Sequence, residues 1–139
     1  MRRRLIFAAI GTACTAASPP APALDGRWLT ADRKGEVTIS RCGGEVLCGW
    51  ITRVLDSGQG VPSSDVRNPD ARLRSRPILG LPVLTGFRPG TGEWTGGRAY
   101  DPKTGSSYRA RLARNGDGSL RVTGCVLFVC LAQRWTRIR

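Results

Sequence analysis

A turn segment that carries proline and glycine, flanked by two strand-like runs, is the feature that most constrains the fold of this chain. Aromatic and small residues lead from Trp94 into Asp101-Pro102-Lys103-Thr104-Gly105, and a second strand-like run follows through Tyr108. Proline presets φ at the second position of a tight turn, and glycine supplies the positive φ needed near its end. The segment is therefore predicted to be a β-hairpin, which makes the C-terminal half antiparallel β-structure.

Short alternating runs separated by turn signals fill the rest of the chain from residue 24 onward, without a long helical pattern. The predicted strands are residues 26–30, 36–41, 46–55, 83–88, 93–100, 107–113, 120–127 and 131–138. The last five are joined by tight turns and form an up-and-down meander, and closure into a barrel removes the exposed sheet edges. We therefore predict an all-β fold, a small antiparallel up-and-down barrel of about eight strands.

Residues 56–77 interrupt this rhythm with several glycines and prolines. They are predicted to form one long loop or a short helix. A helical turn starting at Pro69 would have Asn68 as its cap, because proline is tolerated at the first helical position. Connections of this length in compact domains are often functional or mobile.

The first 23 residues have the pattern of a secretory signal peptide. Arg2-Arg3-Arg4 is basic, residues 5–13 form an apolar run well below the ~20 residues that span a bilayer, and Ala21-Pro22-Ala23 is an A-x-A cleavage site. We predict a signal peptide at 1–23, one β-barrel domain at 24–139, and a periplasmic or secreted protein. A lipoprotein anchored at Cys14 is the alternative, although Gly11 stands where a bulky aliphatic residue is usual.

Four cysteines remain after that leader, an even count that favours disulfides in an exported small domain. Among three connectivities, the local pairs Cys42–Cys48 and Cys125–Cys130 are favoured. The spacings are not those of a metal or redox motif, and the chain contains no histidine to complete a zinc site. No metal site is predicted.

The chain carries 22 basic and 10 acidic residues, a formal net charge of +12. Such a charge attracts anionic partners, including lipid headgroups and acidic polysaccharides. A solvated, arginine-rich surface explains it equally simply. Nucleic acid is not expected as a partner, because the arginines are scattered and no recognition helix is visible.

Two groups of side chains are candidates for ligand binding. Aromatic residues with polar tips would line a cavity, or would simply fill the core, and a barrel of about eight strands allows either outcome. Alternating arginines on an extended segment would present three guanidiniums to a phosphate or carboxylate, unless they pair with Asp65 and Asp70. The candidate residues are Trp50, Trp94, Tyr100, Tyr108, Arg72, Arg74 and Arg76.

Asp65, Asn68 and Asp70 offer oxygens on one loop, as calcium requires, but no bidentate glutamate is near, so local turn and capping chemistry is the simpler explanation. Catalysis has little support, since histidine is absent and no serine lies in a nucleophile-elbow context. The sequence therefore predicts a protein that is not an enzyme and has no cofactor.

The first and last predicted strands carry a matching pair of motifs. Gly26-Arg27-Trp28 near the start and Trp135-Thr136-Arg137 near the end are similar to the lipocalin pattern, in which a guanidinium lies across an indole. In a closed barrel these strands are neighbours, so Gly26, Trp28, Trp135 and Arg137 are expected to form a structural clamp. A ligand-stacking role for Trp28 is the alternative.

Taken together, these motifs resemble a bacterial family of small exported proteins that is known only as a domain of unknown function. The resemblance implies a lipocalin-like barrel that takes a hydrophobic ligand, and it brings no established activity. Position 50 departs from the pattern, because Trp50 stands where a polar or charged residue such as arginine is expected. The matching stretches are Gly26–Thr30, Cys42–Gly44, Leu47–Gly49, Asp65, Asn68–Asp70, Leu73–Gly80, Trp94–Gly105, Tyr108 and Trp135–Arg137.

Two functions follow as hypotheses. The first is a non-enzymatic binding protein that holds a small hydrophobic, amphipathic or lipid-like ligand in its barrel. The second is a filled barrel that serves as an envelope interaction module, with a basic face for an acidic partner or a membrane surface.

Overall fold

The computed structural model describes residues 10–56, 58 and 60–139, and these form a closed antiparallel β-barrel. Consecutive strands pair in chain order, and the first strand closes the barrel by pairing with the last. The predicted all-β, up-and-down barrel is confirmed, with every strand boundary within two residues of its predicted position. The strands are β1 (Gly26–Leu29), β2 (Gly35–Gly43), β3 (Val46–Val54), β4 (Pro82–Pro89), β5 (Trp94–Asp101), β6 (Ser106–Arg114), β7 (Leu120–Val126) and β8 (Val129–Ile138).

The turn between β5 and β6 forms as its sequence predicts. The N–H of Gly105 donates to the carbonyl of Asp101 at 2.8 Å, and the Asp101 carboxylate accepts the N–H of Lys103 at 2.9 Å. Gly105 has a φ of 71°. A β-carbon at that position would lie 1.9 Å from the Arg67 carbonyl oxygen, so glycine also lets the long connection approach this turn.

One end of the barrel is filled by large buried side chains. Trp28, Phe87, Leu112 and other core residues are almost completely buried there. The segment before β1 covers this end, since Leu24 is fully buried and accepts the indole N–H of Trp28 at 2.9 Å through its carbonyl. We call this region the packed end.

The connection between β3 and β4 contains one short 3-10 helix, Ala71–Leu73, which we call η1. Its N-cap is Asp70, whose side chain accepts the N–H of Arg72. The predicted cap at Asn68 is therefore wrong. The Asn68 side chain instead accepts the N–H of Asp70 at 2.8 Å, because the helical turn starts two residues later than Pro69.

Both predicted disulfides are present. Cys42–Cys48 joins β2 to β3, and Cys125–Cys130 joins β7 to β8. Two disulfides in one small barrel indicate an oxidising, extracytoplasmic environment. Among the described residues, no helix has the length and apolar character needed to cross a membrane. The basic segment Arg2-Arg3-Arg4 of the predicted leader lies outside the described residues.

Candidate functional site

The end of the barrel opposite the packed end encloses a cavity of about 750 Å³. Residues of seven strands, β2 to β8, form its walls, and the turns between strands form its mouth. This volume lies within the ~300–1,000 Å³ typical of small-molecule sites. The interior is therefore open at this end. The aliphatic walls include Val37, Ile51, Val83, Leu84 and Val122.

Two of the four predicted aromatic residues, Tyr100 and Tyr108, line this cavity. The other two lie elsewhere, which corrects their predicted placement. Trp50 is half-buried and alternates with the inward-facing Gly49 and Ile51, so the two-residue period of β3 directs its indole outward. Trp94 belongs to the packed end, where its indole N–H donates to the Pro22 carbonyl at 2.7 Å.

The three predicted arginines do not line the cavity either. Their segment is not extended, because Asp70 caps η1 and Arg74 has helical backbone angles. Arg72 bonds the Asp70 carboxylate at 2.9 Å, and Arg76 bonds that of Asp65 at 3.1 Å. The alternative that these arginines pair with the two aspartates is thus confirmed for Arg72 and Arg76. Arg74 donates instead to the Asn68 carbonyl at 2.8 Å.

The Asp65 carboxylate is completely buried and organises the long connection. It accepts hydrogen bonds from the Tyr100 hydroxyl at 2.5 Å, from the Asn68 amide at 2.8 Å and from Arg76 at 3.1 Å. Burial alone would raise the pKa of Asp65, but these three donors outweigh it and hold that pKa below its usual value. Asp65 therefore stays ionised, and it ties the connection to β5 at the cavity wall.

The hydrogen bond between Tyr100 and Asp65 also changes the pKa of Tyr100. Burial, together with the hydrogen bond to the Asp65 carboxylate, raises the pKa of the Tyr100 phenol to about 12. The hydroxyl therefore remains a hydrogen-bond donor at neutral pH. Within the described part of the chain, no group of three or more His, Cys, Asp or Glu residues could hold a metal ion.

The clamp residues lie at the junction of β1 and β8. The Arg137 guanidinium lies 5.0 Å from the centroid of the Trp28 ring, and the two residues are paired in register. Gly26 leaves room for it, since a β-carbon there would lie 2.6 Å from the guanidinium. Trp135 is buried and borders the floor of the cavity. The arginine and the indole thus join the two ends of the chain at the packed end.

These features can be compared with known proteins. A sequence profile described as an uncharacterised protein conserved in bacteria, DUF2147, matches residues 26–137. The chain belongs to the DUF2147 family. Its fold is similar to that of protein HP1028 from Helicobacter pylori, a protein described as a member of the lipocalin family. The TM-score is 0.72, with 23% sequence identity over 84% of each chain. No curated protein matches the chain in sequence.

The departure of this DUF2147 protein at position 50 does not reach the cavity. Because Trp50 points away from the cavity wall, a tryptophan there leaves the lining unchanged.

Ion pairs surround the mouth of the cavity, and the sequence did not predict them. Asp32 in the β1–β2 turn pairs with Lys103 in the β5–β6 turn, and Lys34 pairs with Asp56 at 2.9 Å. Burial would raise the pKa of Asp32, but hydrogen bonds from Lys103, from the Thr30 hydroxyl and from the Lys34 N–H outweigh it and lower that pKa. In the sequence, Lys34 and Lys103 differ from the other basic residues only because those are arginines.

Arg67 is the remaining cationic residue of the lining, and sequence analysis did not select it. It is exposed and has no carboxylate partner among the described residues. Its backbone carbonyl lies against Gly105, which positions it beside the β5–β6 turn. The rim therefore offers one guanidinium without an ion pair above an apolar cavity, and the Asp101 carboxylate belongs to the same lining.

Proposed function

We propose that this protein is an exported, non-enzymatic binding protein that holds a small amphipathic, lipid-like ligand in its barrel. The observation that carries the proposal is the cavity of about 750 Å³, which has aliphatic walls, two tyrosines and a charged mouth. An apolar enclosure with a few polar groups is the usual construction of a small-molecule site. The cavity favours this function over a filled barrel that serves only as an interaction module.

Within this proposal, the apolar part of the ligand lies against Val83, Leu84 and Val122. Arg67 contacts its acidic headgroup, because it is the lining cation without a carboxylate partner. It takes the role that the sequence suggested for Arg72, Arg74 and Arg76. The Tyr100 and Tyr108 hydroxyls supply further hydrogen bonds at the transition between the apolar and polar zones.

The proposal includes export of the chain to the periplasm or beyond. A signal peptide at residues 1–23 supports export, as do the two disulfides. Leu24, the first residue after the proposed cleavage site, is fully buried, and cleavage there would remove the contact between the Trp94 indole and the Pro22 carbonyl. Retention of a lipid on the exposed Cys14 is the alternative route to the envelope.

The proposal is tested first on protein purified from the periplasm without refolding. Native mass spectrometry should show a bound mass that denaturation releases. Titration with cis-parinaric acid, a fluorescent fatty acid, then measures affinity for a defined probe. Val122→Phe, which fills the cavity, should weaken probe binding roughly tenfold or more, whereas the outward-facing Arg121→Ser should not.

The headgroup role is tested separately by comparing the acid with its methyl ester. Arg67→Ser should weaken binding of the acid roughly tenfold and leave the ester unchanged, because a charge-assisted hydrogen bond is lost. Equal affinity of wild-type and Val122→Phe protein for both probes would refute the cavity as the binding site. An unchanged acid affinity in Arg67→Ser would refute only the headgroup contact.

A further inference from the structure

The tip of the β7–β8 hairpin is the most exposed apolar surface of the barrel. Leu127 is 90% exposed and Phe128 is 101% exposed, and the flanking Val126, Val129 and Leu131 are also exposed. Single exposed apolar residues are ordinary, but a contiguous patch on a monomer marks an interaction surface. We call these five residues the apolar tip.

The turn at this tip is built from unusual residues. Leu127 and Phe128 form a two-residue loop between the paired Val126 and Val129, and Leu127 has a φ of 52°. Two-residue hairpin loops favour asparagine and glycine, since bulky residues rarely adopt positive φ. The β2–β3 hairpin, which also has a disulfide, follows that rule with Gly43-Gly44-Glu45. The tip therefore presents large apolar side chains despite the conformational cost.

The apolar tip is continuous with the cavity. Val126, Val129 and Leu131 belong both to the tip and to the cavity lining. The disulfide Cys125–Cys130 joins the two strands directly below the loop, so the hairpin keeps its two-stranded form beyond the barrel wall. A surface that receives the tip would thus also face the cavity mouth.

Two arginines flank the hairpin on the outer face of the barrel. Arg98 and Arg109 lie directly opposite each other on β5 and β6, and Arg109 is also in register with Cys125. Like charges in such positions are destabilising unless an anion compensates them. No carboxylate pairs with either arginine among the described residues.

The other cross-strand arginine pair provides a comparison within the same sheet. Arg121 and Arg134 also face each other, on β7 and β8, but Arg134 bonds the Asp117 carboxylate at 2.7 Å. That pair lies near the packed end and has its own counter-charge. Arg98 and Arg109 thus lack the carboxylate counter-charge that the distant pair has, and an external anion would supply that counter-charge.

We propose that the protein docks on an anionic lipid surface by inserting the apolar tip, with Arg98 and Arg109 contacting headgroup phosphates. The turn formed by Leu127 and Phe128 lies one residue pair beyond Cys125–Cys130, roughly 3 Å of strand plus the turn itself. Interfacial elements insert ~5–10 Å, so insertion of the tip brings Arg109 to headgroup level. Residues 24–139 carry 19 basic and 10 acidic residues, and their net charge of +9 adds a general attraction to anionic membranes. Docking goes beyond ligand binding and does not depend on what the cavity holds.

The test is co-sedimentation of the whole protein with vesicles of phosphatidylglycerol and phosphatidylcholine, compared with phosphatidylcholine alone. Wild-type protein should bind the anionic vesicles more tightly. Combined Leu127→Ser and Phe128→Ser should weaken that binding roughly tenfold to hundredfold, because the buried apolar area is lost. Combined Arg98→Ser and Arg109→Ser should reduce it toward the level on phosphatidylcholine.

Matched controls separate the tip from general surface chemistry. Leu79→Ser removes an exposed leucine of the long connection, and Arg121→Ser removes an exposed arginine near the packed end, so both should bind vesicles as wild type does. Val122→Phe should also bind vesicles normally while losing the fatty-acid probe, which distinguishes docking from ligand binding. Unfolding midpoints of the surface variants should match wild type within the effect of a surface change, whereas the buried Val122→Phe is compared only if it remains folded.

Three outcomes would overturn docking. The first is a wild-type protein that ignores anionic vesicles, and the second is a tip variant that binds them normally. The third is a wild-type dimer in size-exclusion chromatography that the tip variant converts to a monomer without any vesicle binding, which would assign the tip to a second copy of this chain.

Discussion

The two ends of the barrel use similar aliphatic strands for different purposes. At the packed end, large side chains such as Trp28, Phe87 and Leu112 fill the interior and the first strand is clamped to the last. At the open end, smaller residues such as Val37 and Val83 leave a cavity, and loops and ion pairs surround its mouth. Close packing is thus concentrated at one end, and the other end remains open.

Two buried leucines offer the largest expected difference between the ends. Leu112 lies at the packed end and Leu84 in the cavity wall, and both are almost fully buried. Leu112→Ala should lower the free energy of unfolding by about 3–5 kcal/mol, whereas Leu84→Ala should cost about 2 kcal/mol, because one side of Leu84 already lacks packing partners. Urea denaturation measures both, and equal losses would contradict the division into two ends.

The Tyr100–Asp65 contact is expected to give the next largest effect, at the open end. Tyr100→Phe removes a hydrogen bond to a buried carboxylate and should cost about 1.5–3 kcal/mol at neutral pH. Because folding raises the Tyr100 pKa from 10.0 to about 12, its contribution is complete below pH 10 and is lost as the pH rises through about 12. The free energies of unfolding of wild type and Tyr100→Phe should therefore converge between pH 10 and about pH 12. A constant difference would contradict the ionisation argument.

The clamp is expected to contribute less than the core beneath it. Arg137→Ala removes the cation–π contact with Trp28 and should cost about 0.5–2 kcal/mol. Arg137→Lys is the matched control, because it keeps the charge but loses the planar group, and it should fall between alanine and wild type. Thermal unfolding measures the three proteins. A cost in the range of Leu112→Ala would mean that closure of the barrel, rather than its filling, dominates the packed end.

The ion pairs at the rim should have the smallest effect on stability. Lys103→Ala breaks the pair with Asp32 and should change the free energy of unfolding by less than about 1 kcal/mol, as exposed pairs do. The same change should speed release of a bound fatty-acid probe in stopped-flow displacement, because the pair joins two turns across the mouth. Arg53→Ala, which breaks a pair with Glu36 on the barrel side, should leave release unchanged.

Local turn chemistry explains why the fold was predictable from the sequence. The Asp101–Gly105 turn forms through bonds among its own residues, and proline and glycine limit the alternatives. In β2, Val37 and Ile39 alternate with Thr38 and Ser40, and both apolar residues are buried. In β3, by contrast, apolar residues occupy both faces, so alternation does not distinguish the inward face, and the prediction that Trp50 lines the cavity is wrong.

Much of the candidate site was not predictable, because its parts meet only after the barrel has closed. Tyr100 lies 35 residues from Asp65, and nothing in either neighbourhood indicates a buried contact. Arg72 alternates with Arg74 and Arg76 in sequence, but the capping by Asp70 overrides an extended conformation. Arg67 belongs to no motif or charge pattern in the sequence. Its position beside the cavity follows only from the approach of its backbone to Gly105 in the folded chain.

The pairing of β1 with β8 also has a consequence for the timing of folding. Trp28 meets Arg137 only when nearly the entire chain is present, since these residues belong to opposite ends of the sequence. Contacts of such long range are slow to form, because the intervening chain must be ordered first. In the proposed export, a chain that passes through a translocation channel from its N-terminus would therefore stay open until its last strand emerges, so the topology itself would delay folding until passage is complete.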